Sequence, residues 1–237
     1  MYRTAATVFK AAIRDRIVTT TPCVDVKLQE KPRREVVPLT VDQVVELADL
    51  VPDRYRALIV LGAGCGIRLS EAVGVTVDRV DFLRRTVKVD RQLVTPPRGE
   101  PRFGAVKRAA SNRVVPLPAV VANALALHLQ GYEEGRDGLI FTSERGVAIR
   151  RNSFTPIFRR AADQVGIARG DGFHELRHHY ASLLISAGCS VTVVQKRLGM
   201  PRRRRPWTRT RTYGLMTIGG PPRPSTRSSG LLSLNHR

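Results

Sequence analysis

The five residues HELRH, His174 to His178, carry the densest chemistry in the chain. Two histidines four apart share one face of a helix, and a glutamate beside the first is the arrangement used in zinc hydrolysis. Such a site also needs a third protein ligand. Asp171-Gly172 puts His174 at a helix start, where a zinc helix normally has preceding turns. The remaining histidines, His128, His179 and His236, stand in no downstream ligand motif. Proteolysis also gives no role to a strongly basic chain. An HExxH zinc protease is therefore the remote alternative. Taken alone, His174 is a capping or core histidine.

The same five residues contain Arg177, which the zinc pattern ignores. GIRLSE (Gly66–Glu71) contributes Arg68, and AVKRAASNRVVPLP (Ala105–Pro118) contributes Lys107. Arginine forks suit a phosphodiester, because a planar guanidinium binds two oxygens at once and stays charged. Fixed cations also stabilise the charge that grows on the non-bridging oxygens in the transition state. Each residue has a plainer reading by itself. Arg68 is a surface or ion-paired arginine, and Lys107 a loop lysine easily confused with Lys88 or Arg108. Glu71 is a structural partner for an arginine, and Ser70 a helix cap.

Together, GIRLSE, AVKRAASNRVVPLP, GLIFTSERG, HELRHHYAS and GCSVTVVQKRLG resemble the tyrosine recombinases, the phage-type integrases, over about Val37 to Gly199. The resemblance implies that Arg68 and Arg177 clamp the scissile phosphate. It implies that Lys107 protonates the departing 5′ oxygen, and that His174 assists proton transfer and positions the phosphate. Arg68, Lys107 and Arg177 are then also the DNA contacts. A tyrosine attacks to form a 3′-phosphotyrosine, with no metal or nucleotide cofactor. The implied partner is double-stranded DNA, bound by a family-like homo-oligomer.

The pattern breaks after KRLG. The family continues LGH and reaches its tyrosine a short way beyond. This chain has Met200 where that histidine belongs, and Tyr213 thirteen residues later in an Arg/Pro-rich context. A lost base near the Gly199 codon accounts for the change. With one cytosine restored, the back-translated tail reads HAAAAETLDTYAHLWPDD, which recovers the histidine and places a tyrosine ten residues after it. The junctions Trp207-Thr208 and Met216-Thr217 each give only Asp in that frame, whatever third bases are chosen. The restored tyrosine codon straddles Arg209 and Thr210, so neither residue replaces it. The expectation is that residues 200–237 are out of frame and disordered, and that the chain as written is a recombinase without its nucleophile. The alternative is a non-catalytic DNA-binding remnant.

The charge agrees with a polyanionic partner. The 237 residues carry 40 Lys and Arg against 20 Asp and Glu, a net +20. Residues 200–237 hold nine arginines and no acid, yet the rest still carries 31 bases against 20 acids. Ribosomal and membrane-surface proteins share such a balance, while an aromatic content of 5% argues against single-strand stacking. No apolar run is long enough to span a bilayer, and the N-terminus has no signal-peptide core. Cys23, Cys65 and Cys189 are scattered, which fits a reducing compartment, so a cytoplasmic protein with no membrane partner is expected.

Positioning these residues requires a mainly α fold with one small antiparallel β-sheet, the tyrosine-recombinase catalytic domain. Residues 1–22 read as the last helix of a truncated N-terminal DNA-clamping domain, 23–37 as a linker, 38–199 as the catalytic domain and 200–237 as the tail. The amphipathic pattern predicts a helix over 1–18. Thr40 and Gln43 predict a capping box ahead of a stripe of Val44, Leu47 and Ala48. Further helices are expected at about 54–61, 119–130, 152–165, 174–187 and 191–197. GAGCG is expected as a glycine-rich turn, VDRVDFLRRTVKVDRQLV as a hairpin, residues 113–117 as a strand, and GLIFTSERG as a short strand and turn.

Overall fold

The computed structural model describes residues 2–24, 26, 37–96, 99–106, 109–167 and 172–200. Helix α1 (Tyr2–Arg14) is amphipathic but buries no residue, and it stops four residues short of the expected end. Helix α2 (Val41–Leu50) starts at the predicted capping box. Gln43 N–H donates to Thr40 Oγ1 (3.1 Å), and Thr40 N–H donates back to Gln43 Oε1 (3.0 Å). Its buried stripe is Val44, Leu47 and Ala48.

Helix α3 (Asp53–Cys65) is the centre of the fold, with eight buried residues spread around its circumference. It runs four residues past the expected end, through the stretch read as a turn. The glycines there serve close packing instead. A Cβ on Gly64 would lie 2.3 Å from Val121 of α5 (Ala119–Gly131), and one on Gly62 would lie 2.5 Å from Phe173, which opens α7 (His174–Ser186). The missing side chains let two helices close on α3 from different sides, and burial outweighs the poor helix propensity of glycine. The turn itself is confined to Gly66–Arg68, ahead of the short helix α4 (Leu69–Ala72).

The expected hairpin forms β1 (Val80–Asp81) and β2 (Thr86–Val89), and β5 (Arg113–Pro116) completes an antiparallel sheet in the order β1-β2-β5. Val87 pairs with Val115 and Val89 with Arg113, so these four side chains face inward. β3 (Arg91–Val94) and β4 (Arg102–Ala105) form a separate two-stranded hairpin. GLIFTSERG makes only isolated bridges, Thr76 to Leu139 and Thr142 to Ala148. Leu139, Ile140 and Phe141 are buried in succession, so the segment threads the core without the alternation of a strand. Helices α6 (Arg151–Gln164) and α8 (Val191–Arg197) complete the body close to their expected bounds.

Candidate active site

Arg68 is the N-cap of α4. Its own N–H donates to Glu71 Oε2 (3.1 Å) and its Nη1 to Glu71 Oε1 (2.7 Å). Its side chain is 36% exposed and lines a cavity of about 1040 Å³ walled by α4, β3, the start of α6 and the start of α7. Arg150, Arg151 and Arg159 line the same cavity, and no described lining residue is acidic. Ser70, expected to cap α4, lies inside it instead, because the Arg68 backbone occupies the cap position. Its hydroxyl donates to Gln92 Oε1 (3.2 Å), and Gln92 Nε2 donates to Ala105 O (2.9 Å), which ties α4 to the β3–β4 hairpin.

His174 is the first residue of α7 and lines the cavity. Although it is exposed toward the cavity, the protein packed around its ring pushes its pKa down to about 4, with His178, Arg177 and Arg68 adding repulsion. It is therefore neutral at neutral pH. His178 meets it edge to face, with ring centroids 5.0 Å apart. Among the described residues no three His, Cys, Asp or Glu side chains gather as a metal site.

Arg177 lies one turn further along α7 and is 2% exposed. Its Nη1 donates to Gly66 O (2.7 Å) and its Nη2 to Leu198 O, while its Nε is buried with no partner. Burial and the neighbouring Arg68 and Arg113 push its pKa down to about 9, so it is still charged at neutral pH. Arg177 thus stands behind the cavity wall, with Nε as its one nitrogen without a partner.

Arg113, within AVKRAASNRVVPLP, is a site residue that its motif alone does not reveal. Its Nη2 donates to Glu71 Oε2 (2.9 Å), so Glu71 bridges Arg68 and Arg113. Burial is the largest single influence on the Glu71 carboxyl and raises its pKa, but the hydrogen bonds and charge of Arg113 and Arg68 together outweigh it and hold the group below the usual carboxylate range. An arginine at an inward position of an alternating strand was the available signal. Such a side chain needs a buried acid, and Glu71 is the acid of the other motif. Two guanidinium groups thus share one carboxylate beside a cavity whose described lining holds no acid, and the Arg177 guanidinium feels the charge of all three. Lys107 lies outside the described residues, as does Tyr213. Tyr180 is 6% exposed and packs with Val194 and Leu198, away from the cavity lining.

Residues 38–202 match the phage integrase family. The chain belongs to that family, the tyrosine recombinases. It is 34% identical over 202 residues to tyrosine recombinase XerD of Mycobacterium leprae (strain TN), covering 76% of this chain and 57% of the relative. It is 29% identical over 174 residues to XerD of Corynebacterium glutamicum, covering 68% and 52%. The chain thus spans about half the length of the curated relatives it matches. Among solved structures, the fold is similar to the Tn1549 transposon integrase in complex with circular intermediate DNA, with a TM-score of 0.71 at 22% identity over 85% of this chain and 70% of that one. The XerA recombinase gives a TM-score of 0.57 at 19% identity, covering 85% and 66%. No described helix is long and apolar enough to cross a membrane.

Proposed function

We propose that this chain binds double-stranded DNA as the catalytic domain of a site-specific recombinase or integrase, with the scissile phosphate seated beside Arg68. The observation that carries this reading is the charge imbalance at the cavity. Arg68 and Arg113 share the Glu71 carboxylate, while the charged Arg177 has only two carbonyls as partners and its buried Nε has no acceptor. An anion supplies what the cluster lacks. The Tn1549 integrase, similar in fold, was solved in complex with DNA, which supports duplex DNA as the source of that anion.

In this reading Arg68 and Arg177 hold the non-bridging oxygens. A tyrosine hydroxyl gives up its proton to His174, which is neutral at physiological pH, and attacks phosphorus. The bond from phosphorus to the 5′ oxygen breaks, Lys107 protonates that oxygen, and a 3′-phosphotyrosine remains. Residues 200–237 are proposed to be out of frame, leaving the chain as written without this tyrosine. It then binds DNA but does not cut it.

The test combines duplex gel shifts at several salt concentrations with nicked suicide substrates. Binding that weakens with salt and with Arg68→Ala, without a covalent adduct, is the expected outcome. Affinity indifferent to Arg68→Ala sinks the phosphate-seat reading. An adduct that disappears in Tyr213→Phe makes Tyr213 the nucleophile and ends the frame argument. Sequencing the gene is the direct check on the frame.

A further inference from the structure

The end of α8 leaves carbonyl groups that need donors. Two are satisfied by the chain's own turn. Met200 N–H donates to Gln195 O (2.9 Å) and Gly199 N–H to Lys196 O (3.1 Å), with Gly199 left-handed at φ +58°. The next two carbonyls are satisfied from other elements. Arg197 O accepts from Arg113 Nε (2.9 Å), and Leu198 O accepts from Arg177 Nη2. The last turn of α8 is thus held by two buried arginines of the site, one on β5 and one on α7.

Arg113 is 8% exposed and uses all three of its nitrogens. Nε takes Arg197 O, Nη1 takes Ser111 O (2.9 Å) and Nη2 takes Glu71 Oε2 (2.9 Å). Contact with α8 is tight, since a Cβ on Gly199 would lie 2.9 Å from Ala110 O and 3.0 Å from Arg113 Nη1. A planar three-nitrogen fork can meet these acceptors together, whereas a lysine ammonium on a flexible stem cannot.

We propose that Arg113 is a positioning residue with two linked tasks. Through Glu71 it keeps Arg68 presented to the cavity, and through Arg197 O it fixes the point at which the chain leaves α8. The end of α8 is then anchored by the same buried network that presents the phosphate clamp. The first task rests on the phosphate-seat reading, and the second is independent of it.

The test uses the full chain with Arg113→Lys, Arg113→Met and the double variant Arg113→Met/Glu71→Leu. The double variant removes both buried charges and remains informative if Arg113→Met alone fails to fold. Hydrogen exchange is read at the amides of Leu198, Gly199 and Met200 against those of α2, α3 and α5, and duplex DNA affinity is read in parallel. Loss of the charged anchor should speed exchange at the three amides by about tenfold, with the core unchanged. Arg113→Lys should separate the two tasks. It keeps Glu71 neutralised and retains DNA affinity, but loses protection at the end of α8. Unchanged exchange at 198–200 overturns the proposal, and so does acceleration spread evenly over α2, α3 and α5. Arg68→Ala is the separating control. If it leaves DNA affinity intact, the phosphate-seat reading fails while the exchange result still decides the anchoring role.

Discussion

Gly62→Ala tests whether α3 and α7 approach as closely as the site requires. The added Cβ would lie 2.5 Å from Phe173 Cζ and 2.9 Å from Leu176 Cδ1. A relaxed carbon–carbon contact needs about 3.5–4.0 Å, so roughly 1 Å must open. Phe173 has little room to yield, because it is buried and its ring meets those of Phe154 and Phe158 at centroid distances of 6.1 Å each. Overpacking of this kind costs about 1–3 kcal/mol. Alanine recovers about 0.5–1 kcal/mol of that through helix propensity. At the middle of both ranges the net loss is about 1 kcal/mol, or a Tm lower by about 2–5 °C for a chain of this size. Gly131→Ala is the control, since a Cβ at the end of α5 meets nothing within 4 Å. That variant should gain about 0.4–1 kcal/mol. Thermal melts followed by circular dichroism compare the two. A Gly62→Ala protein that melts at or above the wild type refutes the packing argument. Because Phe173 immediately precedes His174, the variant should also weaken duplex binding.

Stability should fall as pH drops from about 6.5 toward 4.5. Burial and Arg54 hold the His128 pKa down, and His174 titrates at about 4. Both are neutral in the folded chain, so the unfolded chain takes up protons first. Glu71, with its pKa lowered, adds its own loss only below about 4.5, so melts between the two limits report the histidines; an unchanged pH slope in His174→Gln removes His174 from that account. Arg68→Ala should reduce the slope of log K against log salt for duplex DNA by about 0.9, the share of one phosphate contact, and an unaltered slope places Arg68 off the DNA. Thr40→Ala should cost about 1 kcal/mol in denaturant unfolding through loss of the α2 cap, and a neutral result means the cap is replaced by solvent.

The periodic elements were legible in the sequence because burial imposes period. The Thr40–Gln43 box, the stripe of α2 and the α5 to α8 helices follow from local pattern alone. GAGCG was misread because glycine signals a turn locally, while Gly62 and Gly64 answer to Phe173 and Val121, residues more than fifty positions away. The GLIF segment was misread for a related reason. Its backbone partners are nonlocal, with Ile140 N–H donating to Val75 O (3.1 Å), and no alternation marks it. At the site, the motif positions named Arg68, His174 and Arg177, but spacing says nothing of where a guanidinium points. The commitment of Arg177 to two carbonyls and the bridging of Glu71 by Arg113 depend on three-dimensional closure.

That closure explains why these particular segments belong together. Arg177 sits three residues after His174, one helical turn further from the cavity, and is buried where His174 is open. One of its nitrogens holds the carbonyl of Gly66, two residues before Arg68 in GIRLSE. Another holds the carbonyl of Leu198 in KRLG. Its Nε is left buried without an acceptor. A single side chain therefore joins the segment that presents Arg68, the helix that presents His174 and the turn where α8 ends. The zinc reading of HELRH assigns work to His174, Glu175 and His178 and none to Arg177. The fold reverses that weighting: His178 rests edge-on against His174, and Arg177 is the residue through which the three motifs meet.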